Sequence, residues 1–208
     1  MNKIKYLGFF NLDPYLNMLI DEMLFNMAQE DKHIATLRFF KFSKPCISIG
    51  KNQDIKRLPL ELISNGFEII RRPTGGGAVL HKDDLCYSLV IPENYLGKNH
   101  SLLQSYDVIA NGLKMGFNLC GLDVQYGTEN STSFSPLCFS TAMTYELTLN
   151  GKKLVGSAQR RAKGVLLQQG SIINEHNIPD NRLMECLIKG LKMALNVDYV
   201  YSVLSELF

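Results

Sequence analysis

Long apolar runs, a strong charge of either sign, paired cysteines and internal repeats are all missing from this 208-residue chain. No apolar stretch approaches the ~18 residues needed to cross a bilayer, so no membrane-spanning helix is expected. Lys plus Arg number 22 against 20 Asp plus Glu, a formal net charge of +2. A nucleic-acid binder working by phosphate neutralisation needs a richer basic face, and that class is set aside. The five cysteines (Cys46, Cys86, Cys120, Cys138 and Cys186) are odd in number and scattered, with no CxxC pair. They point to neither a disulfide framework nor a zinc site. The basic-then-apolar N-terminus is interrupted by Asn11 and Asp13 and has no small-residue cleavage site, so it does not read as an export signal. Free thiols and a cytoplasmic location are the corresponding expectations. Nucleotide fingerprints are absent too: neither GxxxxGK[ST] nor GxGxxG opening a helix occurs. With no HxxxH or His/Asp/Glu constellation, no metal is expected. Linker-like Pro/Ser tracts are also lacking, so residues 1–208 read as one domain without a separate accessory domain.

What remains is the composition of a globular protein, 46% apolar and 20% charged. Asp13-Pro14 reads as a helix N-cap and first helical residue, followed by Leu16, Leu19, Ile20, Met23, Leu24 and Met27 at helical spacing. Segments 34–42, 45–50, 67–72 and 85–92 read as strands, with a short helix over 57–65. Ser101 caps a predicted helix that runs to about Cys120 and stops at Gly121. Residues 129–141 are polar and aperiodic, a long loop of the kind that is usually functional or disordered. The clearest local signal is a hairpin, 144–149 and 152–158, joined by the type I′ dipeptide Asn150-Gly151. A turn at 161–163, a strand over 164–173 and an amphipathic helix over about 181–195 complete the pattern. Strands follow strands and helices are inserted irregularly. This predicts an α+β fold with mixed or antiparallel sheets flanked by helices.

Three segments could carry chemistry. RRPTGGGAVLH (71–81) places Gly75, Gly76 and Gly77 after a strand, a backbone able to offer N–H groups to an anion or let a ligand approach closely. Arg71 and Arg72 add planar donors for phosphate or carboxylate. In KKLVGSAQR, strand alternation sends Lys152 and Lys153 to opposite faces, so one of them can point inward. Gly156, Ser157 and Ala158 leave room for a ligand beside that strand. Cys138 sits in the polar loop. A loop thiol near an inward-facing ammonium is favoured as thiolate and becomes a nucleophile able to form a thioester. His81 closes the glycine segment and, with His176, is a candidate base.

RRPTGGGAVLHKDDLCYS resembles the RRxxGGGxVxH signature of lipoate–protein ligases and related octanoyltransferases. KKLVGSAQRRAKGVLLQQGSI resembles the same superfamily's lysine motif, and LRFFKFSKPCISIGKNQD (37–54) its upstream segment. The resemblance to the lipoate/biotin protein ligase superfamily implies that superfamily's catalytic-domain fold, with Arg72, Gly75, Gly76, Gly77, Ala78, Val79, His81, Gly156, Ser157 and Ala158 around the substrate. PLCFSTAMTYELTLNGKKLVGSA is most similar to the octanoyltransferase class whose cysteine precedes the lysine, which implies Cys138 and Lys153 as catalytic residues. The implied reaction moves an octanoyl or lipoyl group from acyl carrier protein to a lipoyl domain of a 2-oxoacid dehydrogenase E2 or glycine cleavage H protein, with no cofactor. The alternatives are an ATP-dependent lipoate–protein ligase, which would use ATP and Mg, and a non-catalytic lipoyl or acyl carrier. Two departures stand out. Gln169 replaces the histidine of the usual QHG, and the longer helical C-terminal region common in these proteins is missing from this sequence.

Overall fold

The computed structural model describes residues 1–58, 65–97, 101–127, 146–173 and 177–207. The loop with Cys138, His176, most of the short helix expected over 57–65 and the first residues of the hairpin fall outside them.

The first strand, β1 (Asn2–Leu12), leads into helix α1 (Pro14–Glu30), where Asp13 accepts from the Tyr15 N–H as N-cap. Then come β2 (Thr36–Phe42), β3 (Cys46–Ile49), β4 (Glu68–Arg71), β5 (Val79–His81) and β6 (Leu85–Pro92). Helix α2 (Leu102–Leu119) starts in a Ser101/Gln104 capping box, and the chain turns at Gly121 with φ of 85°. After the short β7 (Gln125–Tyr126), the hairpin strands β8 (Leu147–Leu149) and β9 (Lys152–Ala162) flank Asn150 and Gly151, both at positive φ as a type I′ turn requires. Strand β10 (Val165–Ile172), helix α3 (Asp180–Leu195) and β11 (Val197–Tyr201) follow.

Among the described residues, eight strands form one sheet in the order β11-β1-β2-β6-β10-β9-β8-β7, and β4-β3-β5 form a smaller one. β1 pairs parallel with β2 and β11 while β2, β6, β10 and β9 are antiparallel, so the sheet is mixed as the sequence predicts. Helices α2 and α3 cover one face over the main core of Leu89, Ile109, Leu113, Phe117 and Leu187. They approach closely because Gly112, Gly116 and Gly190 meet at the crossing, where a Cβ on Gly190 would strike the backbone of α2. Helix α1 covers the other face through Ile20, Leu24, Phe25 and Ala28. No described helix is long and apolar enough to cross a membrane.

Four sequence readings need correction. β1 and β11 are strands that alternation did not single out, because both join the sheet by parallel pairing to distant segments. The turn after β9 is Lys163-Gly164, with φ of 48° and 73°, rather than 161–163, so β9 runs through Ala162. Helix α1 turns Asn17 and Asp21 inward and leaves Leu16 and Leu19 in solvent, against the apolar stripe expected. Asn17 and Asp21 face inward because the buried guanidinium of Arg38 needs acceptors. Finally, Cys120 and Cys186 are bonded as a disulfide rather than free, their Cα atoms 6.0 Å apart. The glycine-mediated closeness of α2 and α3, joining residues 66 apart in sequence, puts the two thiols side by side. Cys46 and Cys86 are free and buried.

Candidate active site

Residues of both sheets and of α1 line a largely apolar cavity. Met18 of α1 and Phe40 and Phe42 of β2 line it, an apolar character that suits a mostly apolar ligand. Six residues singled out from the sequence also line it: Arg72, Val79, His81, Gly156, Ser157 and Ala158. They come from segments some 80 residues apart, brought together because β9 and β10 pair in one sheet while β5 belongs to the other.

Gly75, Gly76, Gly77 and Ala78 themselves do not line this cavity, although the flanking Arg72, Val79 and His81 do. Ala78 is fully buried in a small core with Ile47, Ile49 and Leu58. Gly76 has φ of 88°, a conformation costly for any residue with a Cβ, and its carbonyl packs where a Cβ on Gly50 would sit. The Arg72 guanidinium spends all five N–H groups on the chain: Nε and Nη2 donate to the Gly75 carbonyl, Nη2 also to that of Gly77, and Nη1 to Ser48 O and Oγ. Arg71 Nη1 likewise donates to the carbonyls of Gly50, Lys51 and Gln53. Both arginines clamp backbone, where the sequence alone pointed to donors for phosphate or carboxylate.

A polar group closes one side of the cavity. His81 Nε2 lies 2.8 Å from Ser48 Oγ and its Nδ1 2.6 Å from Asp84 Oδ2. Asp84 Oδ2 also accepts from Cys86 Sγ at 3.3 Å and from the Ser171 hydroxyl. Burial by itself would raise the Asp84 pKa, but the His81 charge and these hydrogen bonds outweigh it and hold the carboxyl at about 2. Burial and the Asp84 charge push the Cys86 thiol well up, so it lines the cavity as a neutral thiol. His81, Asp84 and Cys86 bring three metal-competent atoms within 4.8 Å of one another. The spacing H-x-x-D-x-C concealed this group from a search for helical histidine pairs, since the chain turns between β5 and β6 to assemble it.

Lys153 lies on the same strand as Gly156–Ala158 but does not line the cavity. Its ammonium is 2.7 Å from Glu146 Oε1, both side chains being 5% exposed, whereas Lys152 faces solvent. Alternation therefore does turn one lysine of the pair inward. Cys138 precedes Glu146 by eight residues in the sequence and lies outside the described residues.

Little in the sequence announced the network behind the cavity wall. Arg38, wholly buried within the apolar β2, pairs with the equally buried Asp21 at 2.7 Å. Gln169 of β10 bridges from that pair to Thr74. A charged residue inside an otherwise apolar strand was the available signal.

A mixed α+β domain with an apolar cavity lined from both the 71–81 segment and β9 defines the architectural class of this domain. The chain belongs to the lipoyl protein ligase A/B catalytic domain family, whose pattern matches residues 13–206. It is 35% identical over 178 residues to octanoyltransferase LipM of Staphylococcus aureus, covering 81% of this chain and 64% of that protein. It is 38% identical over 170 residues to octanoyltransferase LipM of Geobacillus kaustophilus, covering 77% and 61%. The chain thus matches a little under two thirds of the length of these relatives. A crystal structure of lipoate-protein ligase A bound with ATP superposes with a TM-score of 0.80 over 99% of this chain and 90% of its own, at 19% identity, a likeness of fold.

Proposed function

We propose that this chain transfers an octanoyl group from the thioester of an acyl carrier protein to the ε-amine of a lysine on a lipoyl domain of a 2-oxoacid dehydrogenase E2 or glycine cleavage H protein. The observation that carries this reading is the apolar cavity lined both by residues flanking the three glycines and by residues of β9. The similarity to octanoyltransferases supports it.

In the proposed sequence the Cys138 thiolate attacks the thioester carbonyl and the carrier thiol leaves, giving an acyl-enzyme thioester. The acceptor amine then attacks the same carbonyl, loses a proton, and releases Cys138 with formation of an amide. Lys153 supplies the positive charge that favours the thiolate and the developing oxyanion. Glu146 holds that ammonium in place until substrate arrives. Arg72, with every N–H engaged by the chain, shapes the cavity and leaves phosphate binding without its most obvious donor. The reaction then needs no nucleotide or metal.

Intact mass after incubation with octanoyl-acyl carrier protein, without nucleotide, tests this. The wild-type chain should gain one octanoyl group, removable by neutral hydroxylamine. Modification of a lipoyl domain only with ATP, Mg and free lipoate, with no trapped thioester, would make it a ligase. Acyl binding without transfer under either condition would make it a carrier.

A further inference from the structure

The cavity wall contains one uncharged residue with a double hydrogen-bonding duty. Gln169, 6% exposed, reaches from β10 to Asp21 of α1 on one side and to Thr74 of the glycine segment on the other. A carboxylate paired with Arg38 only accepts, so the Gln169 amide nitrogen must face Asp21, and it does so at 2.5 Å. The same nitrogen donates to Met18 Sδ at 3.4 Å, and Met18 also lines the cavity. The orientation leaves Oε1 facing Thr74, whose wholly buried hydroxyl donates to it at 2.7 Å. Donation along the network therefore runs one way, from Thr74 through Gln169 to Asp21, where the carboxylate also accepts from Arg38. Only a side chain that accepts on one edge and donates on the other can close it. A carboxylate would face Asp21 with like charge, and an ammonium could not accept from Thr74.

We propose that Gln169 is a positioning residue for acyl binding: it ties the glycine segment, at Thr74, to the Asp21–Arg38 pair and thereby fixes the cavity wall. Thr74 is one residue from Gly75, and the Arg72 clamp holds Gly75 and Gly77 from the opposite side. The two attachments together hold the segment whose flanking residues Arg72 and Val79 line the cavity. The inference rests on the reading of this cavity as the acyl site. Thr74 and Gln169 act through the position of the cavity wall, so their effect should fall on acyl binding rather than on chemistry.

The test uses Thr74→Val, Gln169→Met, the double variant and the conservative Thr74→Ser. Amide hydrogen exchange of residues 73–78, in protein without substrate, should be faster than wild type in both single variants, and in the double no faster than in the worse single. With octanoyl-acyl carrier protein, each single variant should raise KM about tenfold at nearly unchanged kcat, as expected for one lost buried hydrogen bond. The double variant should match the worse single, and Thr74→Ser should behave as wild type. Unchanged exchange at 73–78, additive KM effects, or a fall in kcat with KM preserved would each overturn the tether. Absence of any acyl transfer by the wild type counts against the acyl-transfer reading instead, because the exchange experiment decides the tether without substrate.

Discussion

Lys153 and Glu146 form an ion pair of 2.7 Å in which both side chains are 5% exposed, while the adjacent Lys152 stands in solvent. Removing one member of a buried pair leaves a charge without its partner, which typically costs roughly 3 kcal/mol or more. Lys153→Ala should therefore lower both stability and transfer, the latter by roughly two to three orders of magnitude. The double variant Glu146→Gln/Lys153→Met should recover stability without recovering activity. Denaturation midpoints and acylation rates measured together separate the two roles. Lys152→Ala should be silent in both.

The thiols should differ sharply in reactivity. Burial, and the Asp84 charge after it, push Cys46 up to about 12, and Cys86 is raised for the same reasons. Near pH 8 both remain protonated and closed to alkylation, and Cys120 and Cys186 are bonded to each other. Iodoacetamide followed by peptide mapping should label Cys138 first, with Cys46 and Cys86 labelled only on unfolding. Cys138→Ser should abolish acyl-enzyme formation.

Gly50, Gly75 and Gly76 should rank by geometry. Gly76→Ala must hold φ of 88° and should cost roughly 1–2 kcal/mol. Gly50→Ala should be at least as damaging, since its Cβ would meet the Gly76 carbonyl and push the segment. Gly75→Ala meets nothing within 4 Å and should be tolerated in the fold. Urea midpoints for the three variants test the order.

Asp84 contributes to acid stability with a definite sign. Its folded pKa, about 2, lies below the ordinary 3.8, so the stabilisation is complete above pH 4 and is lost as pH falls through 2. The difference amounts to about 2 kcal/mol. Asp84→Asn should be less stable at neutral pH and lose less stability between pH 4 and pH 2, as read by denaturant midpoints across that range.

Local chemistry already decided much of this protein. Asp13-Pro14, the Ser101 cap and Asn150-Gly151 act through neighbours in the chain, and the structure bears each of them out. The motifs also pointed to residues that do line one cavity, because the side chains at Val79, His81 and 156–158 are set by short-range strand geometry. Tertiary structure alone decided the rest. The parallel pairing of β1 and β11 and the Cys120–Cys186 bond join segments whose sequences carry no mark of each other. The inward turn of Asp21 is explained only by Arg38, and the tether at Gln169 exists only because α1, β10 and the glycine segment converge. Buried polar groups must find partners wherever the fold brings them, and that choice of partner is a property of three-dimensional packing rather than of sequence spacing.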